Sequence, residues 1–174
     1  LLGDTLGIIH LKSPAMTLGY YNDLEATQNM ISNDGWLNTG DVGFIHDSRL
    51  VITGRKKEMI IINGQNYFPN DLDSLIEELP ELKFQQAVSC NVFNEEKHQD
   101  DVFVFVHYIE DVKDFVTLAD SIKKLISERT GVTVKKVIAV EKIPKTTSGK
   151  IQRYVLRDRY LNDEFSAFLN EFEK

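Results

Sequence analysis

Three short segments carry residue types suited to phosphate, sugar and carboxylate chemistry. In residues 35–41 (GWLNTGD) a carboxylate follows Gly40 in what reads as a polar loop. The two oxygens of Asp41 match the spacing of vicinal hydroxyls and can accept both hydrogen bonds of a sugar diol, although a plain polar turn has the same composition. In residues 54–64 (GRKKEMIIING) the planar, permanently charged guanidinium of Arg55 can fork onto a phosphate or ribose oxygen. Three basic residues at a strand end can equally be a solvated surface, and spacing does not decide between the two. In residues 144–153 (PKTTSGKIQR) a Thr/Ser/Gly loop delivers Lys150 at the start of a helix. Such a lysine can bring a mobile positive charge to an oxyanion that develops during reaction, whereas a flexible surface loop would need none of this. A phosphate-cradling G-x-x-x-x-G-K-S/T motif is excluded, since Pro144 stands five residues before Gly149 and Ile151 follows Lys150.

Other reactive side chains lack partners in sequence. His10, His46, His98 and His107 are scattered without ligand spacing, so no metal site is expected. Cys90 sits in an apolar run and reads as a small buried residue. Ser148 has no nearby histidine to activate it.

The elements that must hold these segments follow from patterning. Residues 7–12 and 50–54 read as strands, separated by turn-rich stretches at 22–25, 32–35 and 46–48. Residues 58–62 read as a strand running into Asn63-Gly64, a hairpin turn signal. Leu72, Leu75, Ile76 and Leu79 recur at helical spacing after Pro69, with Pro80 past the end. Strands are expected at 84–93, 101–109 and 134–140, and helices at 117–129, stopped by Gly131, and at 151–160. Residues after Asn162, with Phe165, Phe168 and Phe172, read either as a last helix or as a linker. From residue 58 onward this order describes a compact α+β unit with one sheet face buried under helices. The joint in the chain is expected at residues 55–57.

Composition limits the function classes. With 174 residues, 42% hydrophobic and 27% charged, the chain is that of a globular protein. Its apolar stretches, such as residues 59–62, are far too short for a membrane span. The single cysteine excludes an internal disulfide and fits a reducing, cytoplasmic setting. The start at Leu1, without methionine or signal core, reads as a piece of something longer. The net charge of −7 argues against nucleic-acid binding, yet residues 123–159 carry +8, a region to which an anion could be drawn.

Taken in order, residues 19–22 (GYYN) with 25–27 (EAT), 35–41, 54–73 (GRKKEMIIINGQNYFPNDLD) and 144–153 together resemble the adenylate-forming superfamily. That family comprises acyl-CoA synthetases, fatty-acyl-AMP ligases, peptide-synthetase adenylation domains and beetle luciferases. The resemblance implies that residues 1–54 end a large adenylation domain and that 55–174 form a mobile C-terminal lid, with Lys57 as hinge. It also implies that Asp41 holds the ATP ribose hydroxyls and Arg55 contacts ribose or α-phosphate. Lys150 would bridge carboxylate and α-phosphate, and Gly64 would lie beside the pantetheine tunnel of a thiol acceptor. ATP and magnesium would serve the parent enzyme, with coenzyme A or a phosphopantetheine carrier protein as acceptor and partner. The phosphate loop, the magnesium-binding glutamate and the acid pocket would lie upstream of residue 1, so the fragment alone should not adenylate. Asn66 stands where many members have Arg, which leans toward an acyl substrate, and Asp71 and Asp73 replace glutamates. The alternative role is a docking module for a carrier protein.

Overall fold

The computed structural model describes residues 5–82, 86–108 and 112–166, except for the side chains of residues 112 and 113. The expected strand ends at residues 84 and 109, and Phe168 and Phe172, fall outside these. The chain forms two compact units, Leu1–Lys57 and Glu58–Lys174.

The first unit is a three-stranded antiparallel sheet of order β1-β2-β3, comprising β1 (Gly7–Leu11), β2 (Leu37–His46) and β3 (Arg49–Arg55). A short helix, α1 (Leu24–Met30), starts where the Asp23 side chain accepts a hydrogen bond from the Ala26 N–H at 2.9 Å. The expected polar loop around Asp41 is therefore corrected to a strand. Asn38, Gly40 and Asp41 are poor strand formers, but Asn38 pairs with His10 of β1 and Asp41 with Arg55 of β3, which holds the segment in the sheet.

The second unit opens with the hairpin of β4 (Ile60–Ile62) and β5 (Gln65–Tyr67), followed by α2 (Pro69–Ile76). Next come β6 (Ala87–Asn94), β7 (Gln99–His107), α3 (Val112–Thr130), β8 (Val134–Val140) and α4 (Arg153–Leu161). The sheet order is β6-β7-β8: β6 and β7 are antiparallel, whereas α3 carries the chain over so that β8 joins β7 in parallel.

The expectation of a single buried sheet face is wrong. Val102, Val104 and Val106 pack with Leu72, Ile76, Phe115, Leu118, Ile122 and Ile126 on one side of β7. Phe103 and Phe105 point the other way into Val88, Cys90, Ile138, Leu156 and Phe165. Successive side chains of a strand alternate faces, so a run with no polar alternates must be covered on both.

Within this core the Ser89 hydroxyl is fully buried and has no hydrogen-bond partner among the described residues. Removing an unpaired buried hydroxyl relieves a desolvation cost. Ser89→Ala should thus leave stability unchanged or raise it by up to about 1 kcal/mol in urea unfolding, and a loss of that size would reveal an ordered partner for the oxygen.

Candidate functional site

Asp41 and Arg55, expected from separate motifs, meet in the first unit. They are register partners across β2 and β3, and Arg55 Nε lies 3.1 Å from Asp41 Oδ1. A register shift between Val42 and Gly43 follows immediately, and Gly40 has φ +74°, a conformation that L side chains seldom adopt. The kink is held locally: Gly40 N–H donates to Asn38 Oδ1 at 2.9 Å, and Asp41 N–H to Thr39 Oγ1 at 3.0 Å. Bulges re-aim side chains in this way. The result is a partly buried carboxylate beside a half-exposed guanidinium, a pairing able to accept from a diol and donate to a neighbouring anionic oxygen.

Lys57 lies in a short 3-10 turn, Lys56–Glu58, at the division between the two units. Gly64 closes the β4–β5 hairpin with Asn63. Their φ values of +51° and +76° are those a two-residue turn of primed type demands, and no atom of its surroundings lies within 4 Å of the position a Cβ on Gly64 would take. The hairpin tip is thus bare backbone, open to close approach by a ligand chain.

Lys150 does not begin a helix, contrary to expectation, because α4 starts only at Arg153. It occupies a small loop closed by the bridge Lys145↔Ile151. Thr146 N–H donates to Lys150 C=O at 2.8 Å, Lys150 N–H donates to Thr146 Oγ1 at 3.0 Å, and Gln152 N–H donates to Pro144 C=O at 2.9 Å. The extended backbone is fixed by these closures in place of helical bonds. Gly149, at φ +83°, allows the reversal. The Lys150 side chain is exposed, and among the described residues it has no carboxylate within ion-pairing distance.

Sequence reasoning gave no role to Arg153, yet among the described residues it is the most heavily engaged cation of the second unit. Its side chain is 7% exposed. Nη1 donates to Ser89 C=O at 2.8 Å and Nη2 to Asn70 Oδ1 at 2.6 Å. Nη2 also lies 2.7 Å from Asp73 Oδ2, and Nε 3.4 Å from Glu58 Oε2. Asp73 Oδ1 in turn accepts from Ser89 N–H at 2.6 Å. Asp73 from α2 and Arg153 from α4 together satisfy both backbone groups of Ser89 on edge strand β6, as a neighbouring strand would. Burial raises the Asp73 pKa, with Arg153 and the Ser89 N–H pulling against it. Two signals were legible. Arg153 opens a helix, where the dipole disfavours a cation, and Asp73 shares the buried face of α2 with Leu72 and Ile76.

The remaining reactive groups are idle. Cys90 is buried, which pushes its thiol up to about 12 and removes it as a nucleophile. Among the described residues, Ser148 shares a side-chain hydrogen bond only with Thr146, 3.0 Å between oxygens. Among the described residues no group of three His, Cys, Asp or Glu could hold a metal, and no helix is long and apolar enough to cross a membrane.

No family model matches the chain. Curated relatives do match over nearly all of it. It is 36% identical over 158 residues to 4-coumarate–CoA ligase 3 of Oryza sativa subsp. japonica, covering 88% of this chain and 27% of the relative. It is 32% identical over 174 residues to the medium-chain-fatty-acid–[acyl-carrier-protein] ligase JamA of Moorena producens, covering 91% and 28%. The solved structure of McyG A-PCP complexed with phenylalanyl-adenylate superposes with a TM-score of 0.87 at 30% identity, covering 98% of this chain and 27% of that one. The chain belongs to the adenylate-forming, AMP-binding superfamily. It spans about a quarter of the length of these adenylate-forming relatives.

Proposed function

We propose that the chain is the C-terminal part of an ATP-dependent carboxylic acid ligase, which forms an acyl-AMP and passes the acyl group to a pantetheine thiol. Residues 1–54 would end the large adenylation domain and residues 55–174 would be the lid that turns about Lys57. The observation that carries the reading is the Lys150 loop, which fixes backbone on both sides of an exposed ammonium that has no carboxylate partner among the described residues. Attack of a carboxylate on an α-phosphate brings two anions together. A lysine delivered by a closing lid reduces that repulsion and stabilises charge in the transition state.

In this scheme Asp41 accepts from the ribose hydroxyls and Arg55 donates to ribose or α-phosphate, a division that suits their side-by-side geometry. Once pyrophosphate has left, Lys150 would obstruct the thiol, and rotation of the lid would bring the Gly64 hairpin to the pantetheine instead. Magnesium would neutralise the leaving pyrophosphate and would be held by residues outside this segment. Coenzyme A and a carrier protein are both suitable acceptors. The likeness to McyG A-PCP favours the second, with the lid serving also as a docking surface. ATP and coenzyme A are both supplied in the cytoplasm.

The test is product identification with the full-length polypeptide, ATP, magnesium and a panel of carboxylic acids, with and without coenzyme A. Acid-dependent release of AMP and pyrophosphate is expected, with none from this segment alone. Formation of ADP and phosphate, or ATP consumption indifferent to the acid, would contradict the proposal.

A further inference from the structure

Residues Glu58 and Arg153 join two parts of the second unit that sequence reasoning treated separately. Glu58 immediately follows Lys57, and Arg153 stands three residues after Lys150. The Lys150 loop has a closed neck, formed by the Thr146–Lys150 and Pro144–Gln152 hydrogen bonds. Its C-terminal strand runs directly into Arg153, at most about 11 Å of extended chain away. Arg153 itself is immobilised on one edge by Asp73, Asn70 and the Ser89 carbonyl. Its Nε edge faces Glu58, whose side chain is 36% exposed.

From this we infer that Arg153 is a positioning residue for Lys150, and that its ion pair with Glu58 ties the placement of the Lys150 loop to the segment beside Lys57. The inference rests on the proposed role of Lys150 in adenylation and deepens it. A guanidinium offers donors on separate edges of one rigid plane. Two of its partners, Asp73 and the Ser89 carbonyl, are buried, and Nε is left to sense where residue 58 lies. A shift of Glu58 pulls on a plane whose rotation must be shared by the start of α4, and hence by the loop before it. Glu58→Gln keeps an oxygen acceptor for Nε and leaves Asp73 as the buried counter-ion of Arg153, so its effect is separable from stability.

The experiment is a double-mutant cycle in the full-length polypeptide, read by acid-dependent ATP–pyrophosphate exchange. The variants are Glu58→Gln, Lys150→Ala and the combination, with melting temperature as control. Glu58→Gln alone is expected to lower the exchange kcat by roughly three- to tenfold, the range of coupling between neighbours in one network. KM for ATP and the melting temperature should be nearly unchanged. In the Lys150→Ala background the same substitution should have no further effect, because it acts through that lysine. An equal fold-loss in both backgrounds, no loss in either, or a collapse of the melting temperature would each overturn the inference. Full exchange in Lys150→Ala alone would overturn the underlying functional reading, and the two failures are distinguishable.

Discussion

Replacing Lys150 with Ala in the full-length polypeptide is expected to cut acid-dependent ATP–pyrophosphate exchange by roughly 10²–10³-fold, the usual effect of deleting one preorganised donor to transition-state charge. Transfer of the acyl group from supplied acyl-adenylate to a thiol should change by less than about fivefold, since any one interaction made only in the adenylation transition state affects that step alone. The reason lies in the loop. Its backbone closures involve Thr146, Pro144 and Gln152 and do not use the lysine ammonium, so the truncation leaves the scaffold intact. Rapid-quench measurement of both half-reactions checks the split. Equal losses in the two would mean that Lys150 supports the fold or general binding rather than adenylation.

Arg153→Ala is expected to produce the largest loss of stability. It would strand the Asp73 carboxylate, 11% exposed, together with the Ser89 carbonyl and Asn70. Removing one partner of a buried pair costs about 3–5 kcal/mol, a large share of what a domain of this size possesses. Unfolding in urea checks the size of the loss, and a change under about 1 kcal/mol would contradict the account. The effect should depend on pH with a definite sign. Burial already raises the Asp73 pKa above 3.8, and Arg153 opposes that rise. Without the guanidinium the folded-state pKa rises further, so the folded variant binds a proton that the unfolded chain has released. Stability from that group is then present at low pH and lost as pH climbs from the ordinary carboxylate range through the folded pKa. The deficit of Arg153→Ala relative to the native protein should therefore be smaller at pH 5 than at pH 8.

Much of the second unit was legible in the sequence because local signals agree there. The β-branched run Val134–Val140 forms β8 with the bounds its composition suggests, and Asn63-Gly64 makes the hairpin turn its residue types favour. The helix after Pro69 was also found, although it ends at Ile76 and not at Leu79. The first unit was harder to read. In α1 no residue is buried, so no apolar periodicity marks it, and residues 22–25 read as a turn. The β2 strand carries polar and glycine residues that its neighbours force into a ladder. Sheet order was also hidden, because no local pattern says that β8 pairs with β7 in parallel.

Of the candidate site, the chemistry of each side chain was legible and the meetings between them were not. Asp41 and Arg55 pair only because β2 and β3 are in register. Arg153, Asp73 and Glu58 are drawn together from widely separated segments. That network depends on α2 and α4 reaching the edge of β6 from opposite faces, which no spacing in the chain encodes.

The central claim, that Lys150 works at the reacting carboxylate and α-phosphate, is tested most directly by lysine labelling of the full-length polypeptide followed by mass spectrometry. Exposed Lys142 serves as internal control. With ATP and a non-reactive analogue of the accepted acid bound together, labelling of Lys150 should fall at least tenfold while Lys142 is unaffected. Labelling of Lys150 that stays the same, or that falls no more than at Lys142, would contradict the account.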